Sequence, residues 1–159
     1  EGFMEIFVIS RDRMKKFMNS VDFDVKKYNI ISISDPDMEF LFPFTLPNVL
    51  QLKFNDIEAD DWESESDRLY MEKRGWILFN EDHARKIINF MNNMNVENDL
   101  IINCTAGISR SGAIGDYARV KFGIPFGQFI LTNKQIQPNS WIRKTLLRLD
   151  FGEHFRNDT

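Results

Sequence analysis

Leu100-Ile101-Ile102-Asn103-Cys104-Thr105-Ala106-Gly107-Ile108-Ser109-Arg110-Ser111-Gly112 is the stretch of this 159-residue chain that decides its fold. Its first three residues are an unbroken apolar run, as a central parallel strand covered on both faces requires. From Ser111 to Phe122 the pattern is that of a helix, which ends at Gly123 with Pro125 just beyond it. Strand, short loop and helix are contiguous, and such units build parallel sheets.

Outward from this unit, strand and helix signals alternate. Met4 to Ser10 and Tyr28 to Ser34 are apolar and β-rich, and the polar segment Arg11 to Ser20 between them suits a helix. After a loop punctuated by Pro36, Pro43 and Pro47, Leu50, Leu52 and Phe54 alternate with Gln51 and Lys53. That is the period of a strand with one buried face, and it stops at Asn55 and Asp56. Glu58 to Asp67, dominated by acidic residues and lacking apolar periodicity, reads as a solvated loop or lid. Asn80 caps a helix opening at Glu81, whose acidic first turn suits the helix dipole; Ala84, Ile87, Ile88, Met91 and Met94 form its apolar stripe. A last helix runs from about Ser140 to Leu149 behind Pro138 and Asn139, with Ile142, Thr145, Leu146 and Leu149 inward. The expected fold is one three-layer α/β domain over residues 1–159, a central, mostly parallel sheet flanked by helices.

Composition narrows the function classes. With 43% hydrophobic residues and 15 Phe, the chain is able to bury a substantial core. No apolar run approaches the roughly 20 residues of a membrane span, so a soluble, cytoplasmic protein without a membrane partner is expected. Glu1 to Phe3 precede Met4, the expected natural start. A lone cysteine makes neither an internal disulfide nor a cysteine-rich zinc site, and no metal or cofactor is expected. Residues 1–103 hold 12 Lys/Arg against 20 Asp/Glu (−8), and residues 104–159 hold 8 against 4 (+4). The basic C-terminal third suits an anionic ligand, while the net charge of −4 argues against general nucleic-acid binding.

Cys104 closes the central strand, and Arg110 follows six residues later where the helix begins. A loop so placed curls with successive N–H groups toward one concavity, and the helix N-terminus adds positive potential. Thr105, Ala106, Gly107, Ile108, Ser109 and Arg110 then form an anion cradle. Arg110 supplies a planar fork for two phosphate oxygens, a geometry that Lys does not copy. The same groups favour a thiolate on Cys104, the form that acts as a nucleophile. Gly107 lets the backbone turn without a side chain in the pocket, and Ser111 is placed to hydrogen-bond a departing thiolate.

Cys104, Gly107, Arg110 and Ser111 match, residue by residue, the signature His-Cys-x-x-Gly-x-x-Arg followed by Ser or Thr. The segment resembles the phosphate-binding loop of protein-tyrosine and dual-specificity phosphatases, particularly small phage or bacterial members. Low-molecular-weight phosphatases and arsenate reductases share Cys-x5-Arg but usually carry it near the N-terminus, whereas 103 residues precede it here. The resemblance implies hydrolysis of a phosphorylated protein or another phosphomonoester through a phosphocysteine, with no cofactor. It also implies a general-acid aspartate on a loop after an upstream strand. Asp56 fits that description, with Asp60 and Asp61 in contention. The 48 residues from Asp56 to Cys104 exceed the interval in small members, and the acidic segment accounts for the excess. Pro138-Asn139 resembles a Pro-Asn pair whose Asn braces the phosphate loop; a plain helix cap is the equal alternative for Asn139. Asn103 departs from the pattern, standing where the family has a histidine that helps set the cysteine's reactivity. Asn hydrogen-bonds but carries no charge.

Two other readings share this loop. A phosphatase of RNA 5′ ends or phosphoinositides would need basic residues beside the loop, and Lys134, Arg143 and Lys144 are the candidates. A non-catalytic phosphate-binding module is the non-enzymatic rival, and intact Cys104 and Arg110 speak against it. His83 and His154 lack paired ligands; Trp76 and Trp141 read as packing residues, and Trp62 sits in the acidic segment where it is able to touch a substrate.

Overall fold

A computed structural model describes residues 4–58 and 64–152. Four strands, β1 (Ile6–Ser10), β2 (Tyr28–Ser34), β3 (Val49–Lys53) and β4 (Asp99–Cys104), form an all-parallel sheet in the order β1-β4-β2-β3. The helices are α1 (Arg11–Met18), α2 (Glu65–Lys73), α3 (Glu81–Asn93), α4 (Arg110–Lys121), α5 (Phe126–Thr132) and α6 (Ser140–Phe151). None of these is long and apolar enough to cross a membrane.

The central position of β4 explains its apolar run. It is paired with β1, where Ser10 lies beside Cys104, and with β2, where Ser32 lies beside Asn103. Strand alternation then sorts side chains into two layers. Ile6, Val8, Ile31, Ile33, Leu100, Ile102 and Cys104 belong to the core shared with α3, α4 and α6. Phe7, Ile9, Ile30 and Ile101 belong to a smaller cluster with Met14 of α1 and Phe42. The architecture is therefore three-layered α/β, with the larger helical layer on the side to which Cys104 points.

Helix α4 is buried from Arg110 through Ala118, because small residues let it lie close to the sheet. A Cβ at Gly115 would stand 2.6 Å from Val8 Cγ2, so a larger residue would push the helix off β1. Amide side chains cover both sheet edges, which otherwise invite pairing with other chains. On β1, Asn133 Oδ1 accepts from Val8 N and its Nδ2 donates to Ile6 O, while Gln135 Nε2 donates to Val8 O. On β3, the Gln51 side chain exchanges two hydrogen bonds with the Phe42 backbone.

Two elements depart from the sequence reading. The acidic segment is not loop throughout: Ser64 accepts from Asp67 N, and α2 follows with Glu65 and Asp67 in its first turn. No residue of α2 is buried, so it lacks the apolar stripe by which a helix is recognised. Helix α5 has Pro125 at its N-cap, no side-chain cap bond, and Phe129 as its one buried residue. Smaller shifts start β1 at Ile6 and α4 at Arg110.

Candidate active site

The loop between β4 and α4 gathers the residues singled out above. Cys104 is 2% exposed; its Sγ lies 2.9 Å from Ser111 Oγ and accepts from Ser111 N at 3.4 Å. Ser111 belongs to the first turn of α4, so the helix itself carries the sulfur's partners. Among the described residues, the backbone N–H groups of Ala106 to Arg110 donate to no protein acceptor. Ser109, the N-cap of α4, makes no side-chain cap bond. Unpaired amides at a helix N-terminus are ready-made donors to an anion.

Bonds to the loop carbonyls fix it from outside. Gln135 Nε2 donates to Gly107 O at 3.1 Å, Gln137 N to Ile108 O at 2.9 Å, and Asn139 N to Ser109 O at 3.0 Å. Gly107 has φ 71°, and a Cβ there would stand 2.5 Å from both Ile9 C and Ser10 N. Glycine is needed because the loop presses on the β1–α1 backbone, rather than to keep the pocket open.

Arg110 is 6% exposed and its fork is pinned on one side. Its NH1 donates to Phe54 O at 2.8 Å and to Asp35 Oδ1 at 2.7 Å; its NH2 reaches Thr105 Oγ1 at 3.3 Å. Thr105 Oγ1 in turn donates to Asp35 Oδ2 at 3.2 Å. Among the described residues Nε has no partner, so the Nε–NH2 edge keeps donors for a ligand. Asp35 is a site residue that sequence reasoning missed. It follows β2 in an Asp-Pro pair that reads as a turn, and only the β2–β4 pairing brings it to the loop.

Asp56 lies against the loop's far side. Its Oδ1 accepts from Ser109 Oγ and from Asn139 Nδ2, each at 2.8 Å, and Oδ2 has no partner among the described residues. Asn139 is fully buried, and its side chain caps α6 and anchors the Asp56–Ile57 segment; the phosphate loop is met by its backbone N–H, not by the side chain read as its brace. Its Oδ1 caps α6 by accepting from Ile142 N, and its Nδ2 also donates to Ile57 O at 3.0 Å. Glu58 clamps the same segment, accepting from Ser140 N at 3.0 Å and Ser140 Oγ at 2.6 Å at the start of α6. Asp60, Asp61, Trp62 and His154 lie outside the described residues.

No protein-family model matches this sequence, and no curated protein matches it significantly. Among solved structures, the active form of Tk-PTP is similar at 14% identity and TM-score 0.39, covering 94% of this chain and 91% of that one. A mutant form of Tk-PTP is similar at 15% identity and TM-score 0.38, covering 92% and 90%.

The remaining candidates are occupied elsewhere or stand apart. Asn103 is fully buried, with neither side-chain atom hydrogen-bonded among the described residues. Arg143 Nε is bonded to Asp116 Oδ2, and Arg119 Nε donates to Asp116 Oδ1, so Arg143 is committed to the α4–α6 contact. His83 sits against the rings of Phe54 and Phe79, and its Nδ1 accepts from Asn80 N in a capping box. Burial holds its pKa below the ordinary 6.5, with Asp82 opposing and Lys86 assisting that shift. Among the described residues, no three His, Cys, Asp or Glu side chains converge as metal ligands would.

Proposed function

We propose that this chain is a cysteine-dependent phosphatase that hydrolyses phosphate monoesters, those of phosphorylated proteins foremost, through a phosphocysteine on Cys104. The observation that carries the reading is the run of unpaired amides from Ala106 to Arg110 beside a buried cysteine and an arginine with a free donor edge.

In the first step the Cys104 thiolate attacks phosphorus while the bond from phosphorus to the leaving oxygen breaks. The loop amides and the Nε–NH2 edge of Arg110 hold the equatorial oxygens, whose charge is spread in a loose transition state. Asp56 Oδ2 gives its proton to the leaving oxygen; Oδ1 is held by Ser109 and Asn139, which fixes which oxygen carries that proton. In the second step Asp56 takes a proton from water, whose oxygen bonds to phosphorus as the S–P bond breaks. Ser111 Oγ and N–H stabilise the thiolate that leaves.

A role on RNA 5′ ends or phosphoinositides is less well supported. Arg143 is spent on Asp116, while Asp35, Asp56 and Glu58 give the loop acidic neighbours.

Leaving-group dependence tests the reading. Asp56→Asn should slow phosphocysteine formation from phosphotyrosine or an alkyl phosphate by roughly 10²-fold or more, the usual scale of general-acid loss. An activated aryl ester, whose phenolate departs unaided, should lose far less. Equal losses on both ester classes would remove Asp56 as the acid.

A further inference from the structure

Arg11 opens α1, and its backbone N–H donates to Thr105 O at 3.2 Å, on the phosphate loop. Its side chain turns inward, leaving the residue 8% exposed. NH1 donates to Ser34 Oγ and NH2 to the Glu39 carbonyl, each at 3.0 Å. Both partners are neutral. Among the described residues, no carboxylate forms an ion pair with this guanidinium, whereas the buried or nearly buried Arg110, Arg119, Lys121 and Arg143 each have one. A buried cation without a counterion is costly, and proteins retain such groups where an anion forms.

Its position identifies that anion. Arg11 follows β1 and Ser34 ends β2, with β4 lying between those strands, so the side chain spans the end of β4 at Cys104 and Thr105. Ser32 and Ser34 share the α1 face of the sheet with Ile30, so the guanidinium lies behind the strand whose front carries Sγ. The four buried side-chain polar atoms without partners among the described residues are Arg11 Nε, Ser32 Oγ, and Nδ2 and Oδ1 of Asn103. Ser32 and Asn103 are register partners, and Ser34, which holds Arg11, is two residues beyond Ser32. In front of the strand, the charge of Arg110 is already offset by Asp35 at 2.7 Å. Arg110 thus brings an ion pair to the loop, whereas Arg11, among the described residues, brings a buried charge that no ion pair offsets.

We propose that Arg11 is the counter-charge of the site: from behind β4, its guanidinium stabilises the Cys104 thiolate and the bound phosphate. It supplies the positive charge that the neutral Asn103 does not. Arg11 touches neither the sulfur nor the substrate and acts by its charge across β4, and the proposal rests on reading that loop as a phosphate site.

The test needs no turnover. Alkylation of Cys104 by iodoacetamide, a neutral reagent, is followed on the rising limb of its own pH profile, with and without inorganic phosphate as protectant. For Arg11→Gln, alkylation is expected to slow about tenfold and half-protection to need about tenfold more phosphate, the scale of one charge acting through several ångströms of protein. Arg11→Lys, which keeps the charge but not the fork, should stay within about threefold of wild type on both measures. The exposed neighbour Arg13→Gln should change neither.

A wild-type response in Arg11→Gln overturns the proposal, as does an Arg11→Lys variant impaired as deeply as Arg11→Gln. If Arg11→Gln does not fold, Arg11→Met decides, because it removes the charge and keeps the apolar stem: alkylation about tenfold slower supports the role of charge, and a wild-type rate overturns it. Wild-type Cys104 that phosphate fails to protect would sink the phosphate-loop reading itself, and this proposal with it.

Discussion

Asn139 separates helix capping from catalysis, because its two ends do different things. Its oxygen caps α6 at Ile142 N (2.9 Å), and its nitrogen holds Asp56 Oδ1 (2.8 Å) and Ile57 O (3.0 Å). Asn139→Ser keeps a capping oxygen and loses both donations. A cap contributes about 1 kcal/mol. Each donation contributes about 1 kcal/mol, more where a buried acceptor is left unpaired. Asn139→Ser should therefore cost about 2 kcal/mol of stability, and Asn139→Ala about 3 kcal/mol. Urea unfolding reads that difference. The functional signature is separate: in Asn139→Ser, Asp56 keeps Ser109 but loses its second anchor, so hydrolysis of alkyl phosphates should fall several-fold more than that of an activated aryl ester. A variant that loses the expected stability while keeping the wild-type ratio between the two ester classes would refute the claim that Asn139 positions the acid.

Gly107→Ala should destabilise the fold by at least about 1–2 kcal/mol from its left-handed backbone alone. The contact with Ile9 and Ser10 adds to this and should displace the loop, so phosphate protection of Cys104 should disappear with the stability. His83 is held neutral, with its pKa below 6.5, so as pH falls from 7 toward 5 the unfolded chain binds the proton first and stability declines. His83→Gln keeps a side chain able to serve the capping box and removes the titration, so its stability should vary less over that range; an unchanged slope would assign the decline to other groups. Ser111→Ala, which deletes the hydroxyl 2.9 Å from Sγ, should slow breakdown of the phosphocysteine about tenfold or more while affecting its formation less, as pre-steady-state bursts would report.

What the sequence made legible was local. The run from Leu100 to Gly112 carries strand, loop and helix within one short segment, so its apolar run and its Cys-to-Arg spacing are read without knowledge of any distant contact, whereas the reason for Gly107 lies in its approach to Ile9 and Ser10. The same holds for α3, whose cap and stripe lie within one segment. Contacts made by the sheet were not legible. Asp35 reads as a turn residue until β2 is laid beside β4, and Arg11 reads as one more charge on a polar helix until its side chain is found bonded to Ser34. The cap at Asn139 is local and legible, but the partners of its nitrogen, Asp56 and Ile57, are distant in sequence and are not the phosphate loop. Helices α2 and α5 bury too little apolar surface to leave a period in the sequence.

The central claim, that Cys104 carries the phosphoryl group, is tested most directly by trapping it. In Asp56→Asn mixed with an activated aryl phosphate, formation of the phosphocysteine needs no proton while its hydrolysis lacks a base, so the intermediate should accumulate. Rapid quench followed by peptide mass spectrometry should find close to one phosphate per chain, on Cys104, and none in Cys104→Ser treated identically. Turnover of the ester by Cys104→Ser at the wild-type rate, or phosphate recovered on a residue other than Cys104, would contradict the account.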